Sequence, residues 1–171
     1  MHGRIYQLIE ESKTGQFDRI SADTFDYEDF FLREVADYVD AVEPEHYDYE
    51  QEVFFKNVTE LCTPYIQLFH DQSTVGFILR DGFREKYFEK NYETFLHCLE
   101  DLNQNTSLQA FAKGEFEGAV LRMEAVMDDK FGSYVVCSDW SGDIETLDHF
   151  MRYTAKPDVR YNLENILDYH W

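Results

Sequence analysis

Basic residues are scarce in this chain. Its 171 residues carry 15 lysines and arginines against 35 aspartates and glutamates, a formal net charge of −20. That charge repels phosphate backbones and anionic lipid surfaces. The expectation is no direct nucleic-acid or membrane binding, and a basic protein as the favoured partner. Cysteine is sparse too. Cys62, Cys98 and Cys137 are odd in number, far apart and set among apolar residues, so they read as reduced core thiols and not as a disulfide frame or zinc site. No run of 18 apolar residues occurs, so no transmembrane helix is expected. The opening MHGRIYQLIEESK lacks the basic-then-apolar order of a secretory signal, which points to a cytoplasmic protein.

Catalytic signatures are missing as well. There is no G-x-x-x-x-G-K-[ST] phosphate loop, G-x-G-x-x-G turn, H-E-x-x-H helix or G-x-S-x-G elbow. The six histidines are dispersed without an i, i+3 or i, i+4 pair. No cofactor or metal is expected. His46 with its neighbouring carboxylates lacks the fixed spacing of a metal loop. The sharpest enzyme reading is Cys137 as nucleophile with His149 as base, and the simpler reading is a buried thiol and a surface imidazole.

What the chain has instead is one acidic, aromatic stretch, Ser21 to Glu52. It holds 12 acidic residues and one basic residue, Arg33, so its net charge is 1 − 12 = −11. It also holds Phe25, Tyr27, Phe30, Phe31, Tyr38, Tyr47 and Tyr49. A disordered acidic tail has few aromatics. Here Tyr27, Phe31, Val35, Tyr38 and Val42 recur at spacings of three and four, which predicts an amphipathic helix from Phe25, capped by Asp23 or Thr24 and ended by Pro44. Asp26, Asp29, Arg33, Asp37 and Asp40 would share its outer face, with neighbours about 5–6 Å apart. Same-strand phosphates fall about every 3.4 Å along a duplex axis. A row of carboxylates therefore either occupies a groove made for a phosphate backbone or is a solvated helix face. Pro44 to Glu52 is expected to be an exposed acidic loop.

The rest of the chain reads as an α+β fold in one domain, residues 1–171. The 44% hydrophobic content, with 15 Phe and 12 Tyr, is ample for a core. A small, mainly antiparallel sheet (Arg4–Ile9, Tyr65–Phe69, Val75–Leu79, Gly132–Cys137) is expected to pack against about five helices. In the first strand Ile5 and Gln7 face one side, Tyr6 and Leu8 the other. Helices are predicted over Tyr49–Leu61, Phe83–Leu102, Ser107–Met127 (whole, or split at Gly114 and Gly118) and Ile144–Ala155, capped by Asp143. Asp128–Lys130 reads as a turn. Val159 to Leu163 alternates as a strand, expected to turn into a short helix.

In bulk charge and aromatic content the chain resembles acidic DNA-mimicking inhibitors and acidic immunity proteins. The likeness is one of composition and carries no residue across. The leading functional expectation is a non-enzymatic protein that covers a basic surface of a protein partner with Asp26, Asp29, Glu34, Asp37, Asp40, Glu43, Glu45, Tyr47, Asp48 and Tyr49. The tyrosines would serve as anchors. The alternatives are an enzyme with an unfamiliar carboxylate or metal site, and a structural subunit with an apolar homodimer interface.

Overall fold

A computed structural model describes residues 1–71, 74–105, 107–127 and 132–171. In chain order its elements are β1 (His2–Glu10), α1 (Phe30–Glu34), β2 (Tyr38–Ala41), α2 (Pro44–Cys62), β3 (Ile66–His70) and β4 (Val75–Leu79). Then follow α3 (Phe83–Asn105), α4 (Leu108–Lys113), α5 (Glu117–Met127), β5 (Tyr134–Val136) and β6 (Ile144–Thr146). The short α6 (Leu147–His149) runs into a π-helical turn (Phe150–Thr154), and β7 (Arg160–His170) ends the chain's regular structure. The class is α+β: one seven-stranded, mostly antiparallel sheet with about six helices.

The strand order is β3-β4-β7-β1-β5-β6, with β2 also paired to β7. Only β1–β5 is parallel among the pairings of the described residues. β7 is the spine. β1 lies along nearly all of one edge. The opposite edge is shared end to end by β4, opposite Arg160–Asn162, and β2, opposite Leu167–His170. Both faces of the sheet are covered. On one face α2, the start of α3 and the π turn pack on Tyr6, Leu8, Phe77, Val135, Tyr161 and Ile166. On the other, Ile20, Phe25, Phe31, Val35 and Ala36 roof over Ile5, Tyr134, Val136, Leu167 and Tyr169. The alternation read for β1 is the one observed, with Ile5 in the roofed core and Tyr6 and Leu8 beneath α2.

Several elements differ from the sequence reading. β7 is an 11-residue strand with no helix after Leu163. Gln7 pairs with Asn165 and Leu8 with Leu163, so Glu164 is the extra residue of a β-bulge. That residue breaks the period of two and imitates a helical period from Val159 to His170. Ile144–Thr146 is a strand on β5, and the cap falls to Thr146, whose Oγ1 accepts from His149 N at 3.1 Å. The 107–127 segment does split. Gly114 takes φ +72 as the left-handed cap of α4, a conformation that costs glycine little. Ser107 caps α4 by accepting from Ala110 N at 3.1 Å. The turn read at Asp128–Lys130 lies outside the described residues.

The largest correction concerns the acidic stretch. The helix expected from Phe25 to Val42 is reduced to α1, five residues long. Asp29 Oδ2 accepts from Asp26 N at 2.9 Å, and Asp26 Oδ1 accepts from Glu28 N at 3.2 Å. Such local side-chain bonds compete with a helical ladder. Beyond Val35 the backbone leaves the helix, and Asp37 N donates to His170 O at 2.7 Å, opening the β2–β7 pairing. Pro44 does not end a helix but begins α2, at a first-turn position where its missing N–H costs nothing. The acidic loop expected over Pro44–Glu52 is thus the first half of a 19-residue helix.

Candidate functional site

The ten expected binding residues divide into two groups on opposite sides of the sheet. Asp26, Asp29 and Glu34 belong to the roof. Asp37 and Asp40 lie on the approach and length of β2, and Glu43, Glu45, Tyr47, Asp48 and Tyr49 on the approach and first turns of α2. The single carboxylate row Asp26-Asp29-Asp37-Asp40 is therefore not formed.

The roof acids are largely structural. Asp29 is half-buried and clamps the roof to the β5–β6 loop: Ser141 Oγ donates to its Oδ2 at 2.7 Å, and Asp26 N donates to the same oxygen. The Asp26 amide and then the Ser141 hydroxyl hold its carboxyl below the usual range. Glu34 sits 3.8 Å from Arg33. The roof's position is set by Gln7, which is 1% exposed. Its Nε2 donates to Asp18 O at 2.8 Å and Ser138 O at 2.9 Å, and its Oε1 accepts from Ile20 N at 3.1 Å. Asn165 Nδ2 completes the grip on Ile20, donating to its carbonyl at 2.6 Å.

The acids of β2 and α2 form a different surface. Glu45, Asp48 and Glu52 recur at i, i+3 and i+7 along the outer face of α2, all exposed, with Tyr49 among them at 65% exposure. Glu60 continues the face and Lys56 is its one cation. Glu45 lies in the first turn of α2, where the helix dipole favours negative charge. Asp40 and Glu43, both exposed, lead into it. Among the described residues Asp40, Glu45, Asp48 and Glu52 make no ion pair, and Glu43 meets only His46, at 3.6 Å. Tyr47 departs from its expected role. It is half-buried against the core, and burial raises its phenol pKa. Tyr49 alone of the two is available as an anchor.

Other acids of this end are already partnered. Arg4 donates to Asp168, and to Glu50 at 2.6 Å, while His2 Nδ1 lies 2.8 Å from Asp168. Burial works against the Arg4 charge, but the Glu50 hydrogen bond and the Asp168 and Glu50 charges outweigh it and raise its pKa. His170 stacks on Tyr38 at 5.3 Å and lies 3.4 Å from Asp37. This network ties α2 to the ends of β1, β2 and β7. It fixes where the acidic face points, a role no sequence spacing announces.

Cys137 and His149, the pair weighed against a buried thiol and a surface imidazole, each have other surroundings. Burial pushes the Cys137 thiol up to about 12, so it is not a thiolate at neutral pH. His149 Nδ1 is 2.5 Å from Glu145. A concavity of about 740 Å³ lies between α2, α3, α5 and the β6–α6 junction, where Tyr87 donates to Asp148 at 2.8 Å. Burial pushes its Tyr6 up to about 12. No cluster of three or more metal-ligating side chains occurs among the described residues, and no helix among them is long and apolar enough to cross a membrane. In comparisons with protein-family models, curated proteins and solved structures, no match to the chain was found.

Proposed function

We propose that this chain is a non-enzymatic, cytoplasmic interaction protein that covers a basic surface of a protein partner. The contact is assigned to the outer face of α2 and its approach from β2: Asp40, Glu43, Glu45, Asp48 and Glu52, with Tyr49 as the aromatic anchor. One observation carries the reading. These carboxylates are exposed and almost devoid of internal ion pairs, with Glu45, Asp48 and Glu52 about one helical turn apart, while the neighbouring Glu50 and Asp168 are partnered. Unpaired like charges on a rigid helix repel one another by ~0.2–0.5 kcal/mol per pair, and a basic partner relieves that repulsion. The target class is a nucleic-acid-binding protein inhibited by charge mimicry, or a basic toxin neutralised by its cognate.

The test is affinity capture from the native lysate at low salt, eluted with rising salt, using the wild type and the variant Asp40→Asn/Glu45→Gln/Asp48→Asn/Glu52→Gln. The expected result is a basic protein that the wild type retains and the variant loses. DNA should displace a nucleic-acid-binding target and leave a toxin of another kind in place. Equal retention by the two forms would defeat the assignment.

A further inference from the structure

We infer that the outer edge of β3 is a strand-addition site for an extended segment that alternates basic and β-branched residues. The inference rests on the acidic-partner reading only for the sign of the segment's charge.

The backbone supplies the first part of the case. Arg80 N donates to Tyr65 O at 2.8 Å, and Asp71 N donates to Thr74 O at 2.9 Å. Both bonds belong to closely bonded pairs of the β3–β4 ladder, whose register runs Ile66↔Leu79 to His70↔Val75. In an antiparallel ladder bonded and non-bonded pairs alternate. Gln67 and Phe69 therefore point their amides and carbonyls at β4, while Ile66, Leu68 and His70 point theirs outward. Among the described residues no strand pairs with that edge. Lysine, proline and short length are the usual guards of an edge. This one is five residues long, has neither Lys nor Pro, and leaves Leu68 at 45% exposure. The other edge strands are shorter, β2 with four residues and β6 with three.

The side chains supply the second part. Residues 66, 68 and 70 share the α2 face of the sheet, with Ile66 packed on the core. Leu68 and His70 wall an open groove of about 600 Å³ between β3 and α2. Its floor includes Phe55 and Val75, and its rim on α2 carries Asp48, Glu52 and Glu60 against one Lys56. A strand added to β3 would send alternate side chains into this groove. A lysine or arginine there lays its aliphatic stem on Phe55 and Leu68 and its charge among the rim carboxylates. The intervening side chains point to the opposite face, where the Phe69 ring, with Arg160 stacked on it at 3.4 Å, offers a β-branched side chain an apolar contact. Main-chain bonds supply affinity and the alternate pockets specificity, the usual division in strand addition. A second copy of this chain fits poorly, because β3-to-β3 pairing brings two acidic rims together.

The probe is a fluorescein-labelled, end-capped peptide, Lys-Val-Lys-Val-Lys-Val-Lys, titrated by anisotropy against the full chain. Controls are the same peptide with Glu for Lys and with every backbone amide N-methylated, which removes the edge bonds in either strand orientation. The lysine peptide should bind, both controls should not, and binding should protect the Leu68 and His70 amides from hydrogen exchange. Leu68→Pro removes an outward amide that makes no bond to β4, and should weaken binding about tenfold. Should that variant fold poorly, Leu68→Lys places a guard charge on the exposed edge and should have the same effect. Unchanged affinity in a folded Leu68 variant, or no protection at Leu68, overturns the inference. So does Leu68 protection that rises with protein concentration in the absence of peptide, which would indicate pairing between copies. The two proposals fail separately. If Leu68→Lys leaves lysate capture intact while the α2 variant abolishes it, the edge is not used and the acidic face stands. If the α2 variant captures normally but the peptide still protects Leu68, the edge stands alone.

Discussion

Replacing Gln7 with leucine should detach the acidic roof from the sheet. Gln7 is almost fully buried, and one side chain satisfies three backbone groups: the Ile20 amide and the Asp18 and Ser138 carbonyls. Leucine is close in volume, so the packing change is small and the cost lies in hydrogen bonding. Each buried group left without a partner costs roughly 1–3 kcal/mol. The Asp18 carbonyl is near the surface and can turn to water. The Ile20 amide and Ser138 carbonyl are enclosed, so the expected loss is about 3–5 kcal/mol, a large share of the ~5–15 kcal/mol that holds a typical domain folded. For a chain of this size that lowers Tm by roughly 6–20 °C. Urea unfolding followed by tryptophan fluorescence measures it, with the midpoint falling and the slope unchanged. Hydrogen exchange should accelerate first at residues 18–37, since the bonds broken join that segment to β1 and the Ser138 loop. A loss below about 1 kcal/mol, within the range of ordinary surface substitutions and their scatter, would refute the claim that Gln7 anchors the roof.

Two other predictions concern the same segment. Phe31→Ala should cost about 3–5 kcal/mol, because the ring is 1% exposed among Phe25, Tyr134 and Tyr169. Tyr27→Ala, at 76% exposure, should stay within about 0.5 kcal/mol. Comparable losses in urea unfolding would contradict the placement of α1. Asp29 has a depressed folded-state pKa, so its contribution is complete above its unfolded value near ~3.9 and fades as pH falls through the folded value. The stability difference between wild type and Asp29→Asn should therefore hold steady from neutral pH down to about 4 and shrink below it. A difference that persists unchanged into strong acid would exclude the Asp29–Ser141 clamp.

The α+β class, the four strands first expected and the long α3 were legible because each is a local pattern: alternation in β1, short β-rich runs for β3, β4 and β5, and a 3.6 period over Phe83–Leu102. The split at Gly114 was legible for a similar reason, since the break depends on the conformation of one residue. The acidic stretch was legible as a charge density and not as a shape. Its helical spacing from Tyr27 to Val42 describes α1 for five residues, and there the decision passes to contacts far away in sequence. The β2–β7 bonds draw Tyr38–Ala41 into the sheet, and the Gln7 and Asn165 clips hold Ile20 beneath the roof.

The sequence by itself determined that the chain carries an acidic surface, that its aromatics build the core, and that no familiar catalytic motif is spelled out. Charge and composition are sums over residues, which folding does not alter. Only the tertiary structure decided which acids stand together. It moved Asp26, Asp29 and Glu34 to one side of the sheet and Asp40 through Glu52 to the other. It also paired Glu50 and Asp168 with Arg4, turned Tyr47 inward and left the β3 edge open beside α2. Each of these depends on strand pairing and on which face of a two-sided sheet a segment covers, and the energy that settles them comes from partners outside the local window, 46 residues away for Arg4 and Glu50 and 164 for Arg4 and Asp168.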